Sequence, residues 1–169
     1  KALLKTSEEH GLELHTVRAA EAANERHKTV LFEKVKAHFK GKLKGRTLAV
    51  WGLAFKPKPH DMREAPSIVL IRALLEAGAK VRAADPEAVK EARKIFGSSI
   101  AYCAKPYDAL AGADALVVVR EWNEFRHPDF DRMKSMMKNP VVFDGRNVYA
   151  GRNLKAEGWT WYGIGIPRR

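Results

Sequence analysis

Lys56, Lys58 and Arg63 crowd one loop of this chain, and Pro57 and Pro59 stiffen it. Three cations on a stiff loop suit an anionic ligand, above all when the loop lies between a strand and a helix N-terminus. Arg146 offers a second grip. It closes the run Asp144-Gly145-Arg146 at the end of an apolar stretch, and a guanidinium can hold a carboxylate, a phosphate or sugar hydroxyls in a forked, oriented way that an ammonium cannot. Each has a structural alternative that the residues alone leave open. Lys56 could be a solvated loop lysine, Arg146 could pair with Asp144 or another nearby carboxylate, and Asp61-Met62-Arg63-Glu64 could be an internally neutralised turn. Asp85 follows an apolar stretch where related folds hold a ribose, but without a glycine fingerprint before it, capping of the next helix is the better reading. Cys103 has no histidine beside it, so an inert thiol is expected. The six histidines show no ligand spacing, and no metal site is expected. Trp51, Trp122, Trp159 and Trp161 do not alternate with basic residues and read as packing rather than base-stacking platforms.

The elements that must carry these residues follow from the apolar pattern. Residues 2–10 read as a short helix stopped by Gly11. A much longer helix is expected from His15 to Phe39, with an inward face of Val17, Ala20, Asn24, His27, Leu31, Val35 and Phe39 in steps of three or four. Such a stripe could pack against a second copy of itself or across its own domain. Gly41–Arg46 makes a polar linker, placing a boundary between a helical segment, 1–43, and a second domain, 44–169.

Beyond the linker, strands and helices alternate. Strands are expected at Thr47–Trp51, Lys80–Ala84, Ile100–Tyr102, Asp114–Val119, Val141–Phe143 and Trp159–Tyr162. Helices are expected at Ser67–Ala77, Glu87–Phe96, near Tyr107–Ala111, near Phe130–Met137 and near Leu154–Glu157, with residues 121–129 as a loop. This is an α/β pattern: a Rossmann-like, mainly parallel sheet with helices on both faces, preceded by a long α-helix. The first turn after a strand, Gly52-Leu53-Ala54-Phe55-Lys56, has one glycine where the dinucleotide fingerprint has three, so the fold lacks the usual means of binding NAD.

Composition narrows the function classes. The 169 residues carry 31 Lys+Arg against 20 Asp+Glu, a net charge of +11 that suggests anionic partners. That charge is dispersed and no recognition motif accompanies it, so nucleic-acid binding is the weaker reading and is not expected. No run approaches about 18 apolar residues and no leader pattern opens the chain, so no membrane association is expected. The single cysteine suits a reducing cytoplasm. Lys1 at the start suggests a piece of something longer.

GLAFKPKPHDMREAPS, ADPEA, DALVVVREWNEFRHPDF, FDGRNVY and WYGIG together closely resemble the UDP-glucose dehydrogenase family of NAD-dependent nucleotide-sugar dehydrogenases, which oxidise UDP-glucose to UDP-glucuronate for polysaccharide biosynthesis. The Glu121–Phe125 loop favours UDP-glucose over the GDP-mannose and UDP-N-acetylmannosamine relatives. The resemblance implies a central helix that forms a homodimer and a C-terminal UDP-sugar-binding domain. It also implies an N-terminal NAD-binding domain and a nucleophilic cysteine, neither matched in residues 1–169. In the family that cysteine traps an aldehyde and then forms a thioester, so this chain is expected to hold no catalytic residue and to be inactive alone. By matched position, the backbone of Phe55, the side chain of Lys56 and Arg146 bind the UDP-sugar, and Arg63 reaches NAD on the other domain. Lys58-Pro59-His60 departs from the polar turn usual in relatives.

Overall fold

In a computed structural model, residues 2–54 and 65–166 are described. Two helices lead, α1 (Ala2–Glu9) and α2 (His15–His38). Then follow β1 (Thr47–Trp51), α3 (Pro66–Glu76), β2 (Lys80–Ala84), α4 (Val89–Phe96), β3 (Ala101–Tyr102) and α5 (Pro106–Leu110). The chain ends with β4 (Ala115–Val118), α6 (Asn123–Arg126), α7 (Phe130–Met136), β5 (Val141–Asp144) and β6 (Thr160–Gly163). All pairings are parallel, in the order β3-β2-β1-β4-β5-β6. The chain therefore reverses its direction across the sheet between β1 and β4, which is where an open α/β sheet forms its crevice.

The strands are continuous apolar runs because both faces are covered. Leu48 and Val50 of β1, Ala115 and Val117 of β4 and Val141 and Phe143 of β5 point into one core cluster with α2 and α3. Ala49 and Trp51, Leu116 and Val118, and Val142 point into the other, with Phe125, Phe130 and Met133. The period of two thus divides each strand between two cores.

The expected α/β class and parallel sheet are observed, with three local differences. Residues 154–157 form turns rather than a helix, and residues 123–126 form a short helix inside the expected loop. The face of α2 is the third. Only its last third packs on the sheet: Leu31, Val35 and Phe39 are buried, whereas Ala20, Asn24 and His27 are exposed. A helix of this length, roughly 36 Å, outruns the sheet it lies against. Among the described residues no helix is long and apolar enough to cross a membrane.

Candidate functional site at the C-terminal edge of the sheet

Strand register brings the ends of five strands level, with Trp51 opposite both Ala84 and Val118, Val118 opposite Asp144, and Asp144 opposite Gly163. Everything that follows those residues lies along one edge: Gly52, Asp85, the Arg120-Glu121-Trp122 segment and Gly145-Arg146. Ser67, in the first turn of α3, joins them by donating its buried hydroxyl to the Leu53 carbonyl at 2.5 Å. It does not cap that helix, which starts one residue earlier with Pro66 in its first turn.

Asp85 organises the edge. Its Oδ2 accepts from the backbone N–H of Leu53 (2.7 Å) and Ala54 (3.3 Å) and from Trp122 Nε1 (3.1 Å). Its Oδ1 accepts from the N–H of Glu87 (2.9 Å) and Ala88 (2.7 Å). The expected capping of the next helix is not what this carboxylate does: α4 has Ala88 at its N-cap with no side-chain cap, and Asp85 instead closes the turn that leads into it. The same side chain fixes the first turn and the loop after β4, which leaves it little capacity for a ribose hydroxyl.

Gly52 shows why one glycine suffices. Its φ is +94°, and a Cβ there would collide with the Arg120 Cβ and lie 2.8 Å from the Arg120 backbone nitrogen. A side chain is excluded here by the close passage of the chain after β4, and Leu53 and Ala54 follow where the fingerprint would continue toward its second glycine. With Asp85 saturated as well, this turn does not fit NAD in the manner of a glycine fingerprint.

Asp144, fully buried, does for the last turn what Asp85 does for the first. It accepts from the N–H of Arg146 (3.2 Å) and Tyr149 (2.9 Å) and from Trp161 Nε1 (3.2 Å). Gly145 sits where a Cβ would meet the Val118 carbonyl at 2.9 Å and Leu31 at 3.0 Å. So the turn lies flush between β4 and α2, and Arg146 emerges at its tip. Asn147, in a left-handed conformation, pins the exit of β6 by accepting from the Ile164 N–H (2.8 Å) and donating to its carbonyl (3.0 Å).

Arg146 lines a cleft of about 450 Å³ together with Asn24, Lys28 and Leu31 of α2, Pro66 of α3 and Val119. Its Nη2 donates to Glu121 Oε1 at 3.0 Å, and Glu121 Oε2 accepts from Arg126 Nη2 at 3.0 Å. The pairing alternative for Arg146 is therefore realised with a neighbouring carboxylate, yet the side chain stays 51% exposed and at the cleft. The Arg146 hydrogen bond above all holds the Glu121 carboxyl below the usual range. Burial, and then the charge of Asp85, pushes Glu124 up.

Neither Cys103 nor any tryptophan lines that cleft. Burial pushes the Cys103 thiol up, against a weaker opposing pull from Arg82, so it is poorly suited to act as a nucleophile. Trp51 is buried and donates to the Pro106 carbonyl at 2.9 Å, while the Trp122 ring lies 5.0 Å beneath the Arg120 guanidinium. No cluster of three metal-binding side chains occurs among the described residues. Phe55, Lys56 and Arg63 lie outside the described residues. Of the site residues expected from sequence, the structure places Arg146 at the edge, and it adds Glu121, Asp144 and Asn147. A carboxylate two residues past a buried strand was the available signal for Glu121.

Comparison with known proteins accounts for this arrangement. Residues 49–151 match the UDP binding domain model of the UDP-glucose/GDP-mannose dehydrogenase family. A UDP-glucose 6-dehydrogenase of Pseudomonas aeruginosa is 45% identical over 99% of the chain, and one of Rhizobium meliloti is 43% identical over 98%. The chain spans only 38% of the length of either relative. The solved structure of a UDP-glucose dehydrogenase from Pyrobaculum islandicum superposes with a TM-score of 0.81 at 30% identity, covering 98% of this chain and 36% of that one. With a matched domain, a matching fold and a nucleotide-sized cleft at the expected edge, the chain belongs to the UDP-glucose/GDP-mannose dehydrogenase family, as its UDP-binding domain together with the helix before it.

Proposed function

We propose that the chain is the UDP-glucose-binding and dimerisation portion of an NAD-dependent UDP-glucose 6-dehydrogenase, working in the cytoplasm in the conversion of UDP-glucose to UDP-glucuronate. The observation that carries this reading is Arg146 at the rim of the 450 Å³ cleft, on the edge formed by residues that match a UDP-binding model. Arg146 and Lys56 grip the diphosphate and sugar, and the backbone at Phe55 lies against the nucleotide. This domain supplies orientation and binding energy away from the reacting carbon. NAD is held mainly by a separate N-terminal domain, toward which Arg63 reaches. Two observations favour that division: Asp85 is saturated, and Gly52 is closed against Arg120. Residues 1–169 offer one cysteine, with its thiol pushed up, so the isolated chain produces no NADH.

Dimerisation through the helical segment 1–43 is favoured by what its outer part leaves uncovered. Leu3 and Leu12 are 59% and 62% exposed, and only Leu31 and Val35 of α2 are buried. Calorimetry with UDP-glucose, GDP-mannose and UDP-N-acetylmannosamine tests the substrate: UDP-glucose binds most tightly if the reading holds, and preference for another sugar nucleotide overturns it. NADH formation from UDP-glucose by the chain alone would overturn its assignment as an inactive part.

A further inference from the structure

We propose that Glu121 is a positioning residue, whose carboxylate holds the Arg146 guanidinium toward the cleft for the diphosphate of a nucleotide sugar. This rests on the ligand reading above. Glu121 stands between two guanidinium groups and gives one oxygen to each, Oε1 to Arg146 and Oε2 to Arg126, both at 3.0 Å. Each guanidinium meets Glu121 through a single Nη2, so the Arg146 fork keeps further N–H groups for an anion. Without the carboxylate, Arg146 would lose the contact that orients it.

The carboxylate is itself well anchored. Trp122, the next residue, donates to Asp85, and its ring lies under Arg120, the residue before. Arg126 rides on α6, whose Phe125 is buried and stacks on Trp51 at 5.0 Å between ring centres. The Phe125 carbonyl accepts from the Tyr149 hydroxyl at 2.7 Å, a phenol that burial keeps protonated. A rigid frame thus presents a carboxylate to a half-exposed arginine. Glu121, Arg126 and Arg146 have side chains 41%, 46% and 51% exposed, where ion pairs add little to stability. Direction, rather than stability, is what the pair provides.

The test is a double-mutant cycle on UDP binding by the full chain, read by calorimetry, with Tm measured alongside. Glu121→Gln should weaken binding about tenfold and leave Tm within a degree or two, and the effect should vanish in an Arg146→Ala background because the two residues act as one unit. Unchanged or tighter binding by Glu121→Gln overturns the proposal, as does a loss that persists without Arg146. If Arg146→Ala itself leaves UDP affinity untouched, the ligand reading beneath the proposal fails, and that outcome is separable from the others.

Discussion

Replacing Asp85 by Asn keeps its shape and removes one acceptor, which isolates the clamp that ties the first turn to the loop after β4. Five N–H groups converge on the two carboxylate oxygens, three on Oδ2 and two on Oδ1. The amide NH₂ must face one of these sets. Its cheaper choice is Oδ1, leaving the N–H groups of Glu87 and Ala88 opposed by a donor in a site only 8% exposed. Each stranded donor costs about 1–3 kcal/mol, so the loss is about 3–4 kcal/mol. For a chain of this size that lowers Tm by about 10 °C. Thermal melts followed by circular dichroism, with urea titrations as a second measure, read the change. A Tm within 2 °C of the parent, to the precision of such melts, would refute the claim that Asp85 holds the edge together.

Other outcomes follow from the same geometry. Gly52→Ala should cost about 2–4 kcal/mol, from left-handed strain plus collision with the Arg120 backbone, and urea unfolding reads it. Phe143→Ala removes a fully buried ring stacked at 4.8 Å on Tyr162 and should cost about 3–5 kcal/mol by the same measurement. Arg146→Ala should weaken UDP-glucose binding by about tenfold to a hundredfold in calorimetry, as expected for a lost charge-assisted contact, without lowering Tm by more than about 2 °C. The Glu121 carboxyl is held below its ordinary value near 4.5, so its pairing with Arg146 stabilises the fold above that pH and is lost as pH falls through the lowered value. The effect is small at this exposure, and the Tm difference between parent and Glu121→Gln should vanish in acid while staying constant from pH 6 to 8.

Much of this fold was legible because it is written in local pattern. Thr47–Trp51 and Lys80–Ala84 were bounded by turn residues, and the apolar run of the first and the alternating Val81 and Ala83 of the second located them to the residue. The 154–157 segment misled because Leu154 is buried and charged residues flank it, yet the turns there serve to bring Trp159 into the core. The helix expected from Ser67 starts one residue earlier, at Pro66, and the Ser67 hydroxyl is committed to the Leu53 carbonyl, fourteen residues back, a partner no local rule names. The helix stripe was right in period and wrong in extent, because periodicity reports a face without reporting what covers it. Arg146 could be found from its place after a buried strand, but its tie to Glu121 spans 25 residues and belongs to the register of β4 and β5.

Asp85 carries the broader lesson about this architecture. A Rossmann-like sheet places a carboxylate after β2 for either of two uses, and the first βα turn decides between them. Here Gly52 closes on Arg120, Leu53 and Ala54 donate inward, and the carboxylate becomes a structural clamp. The turn after β5, where Arg146 is half-exposed, is where the ligand contact is proposed.

The central claim is that a UDP-sugar binds at this edge, and amide chemical-shift mapping of the isotope-labelled chain tests it most directly. Titration with UDP-glucose should move the signals of residues 52–54, 119–122 and 144–147 together and saturably, leaving those of Lys80 and Lys138 at the opposite end of the sheet in place. Shifts confined to that opposite end, or none at saturating UDP-glucose, would contradict the account.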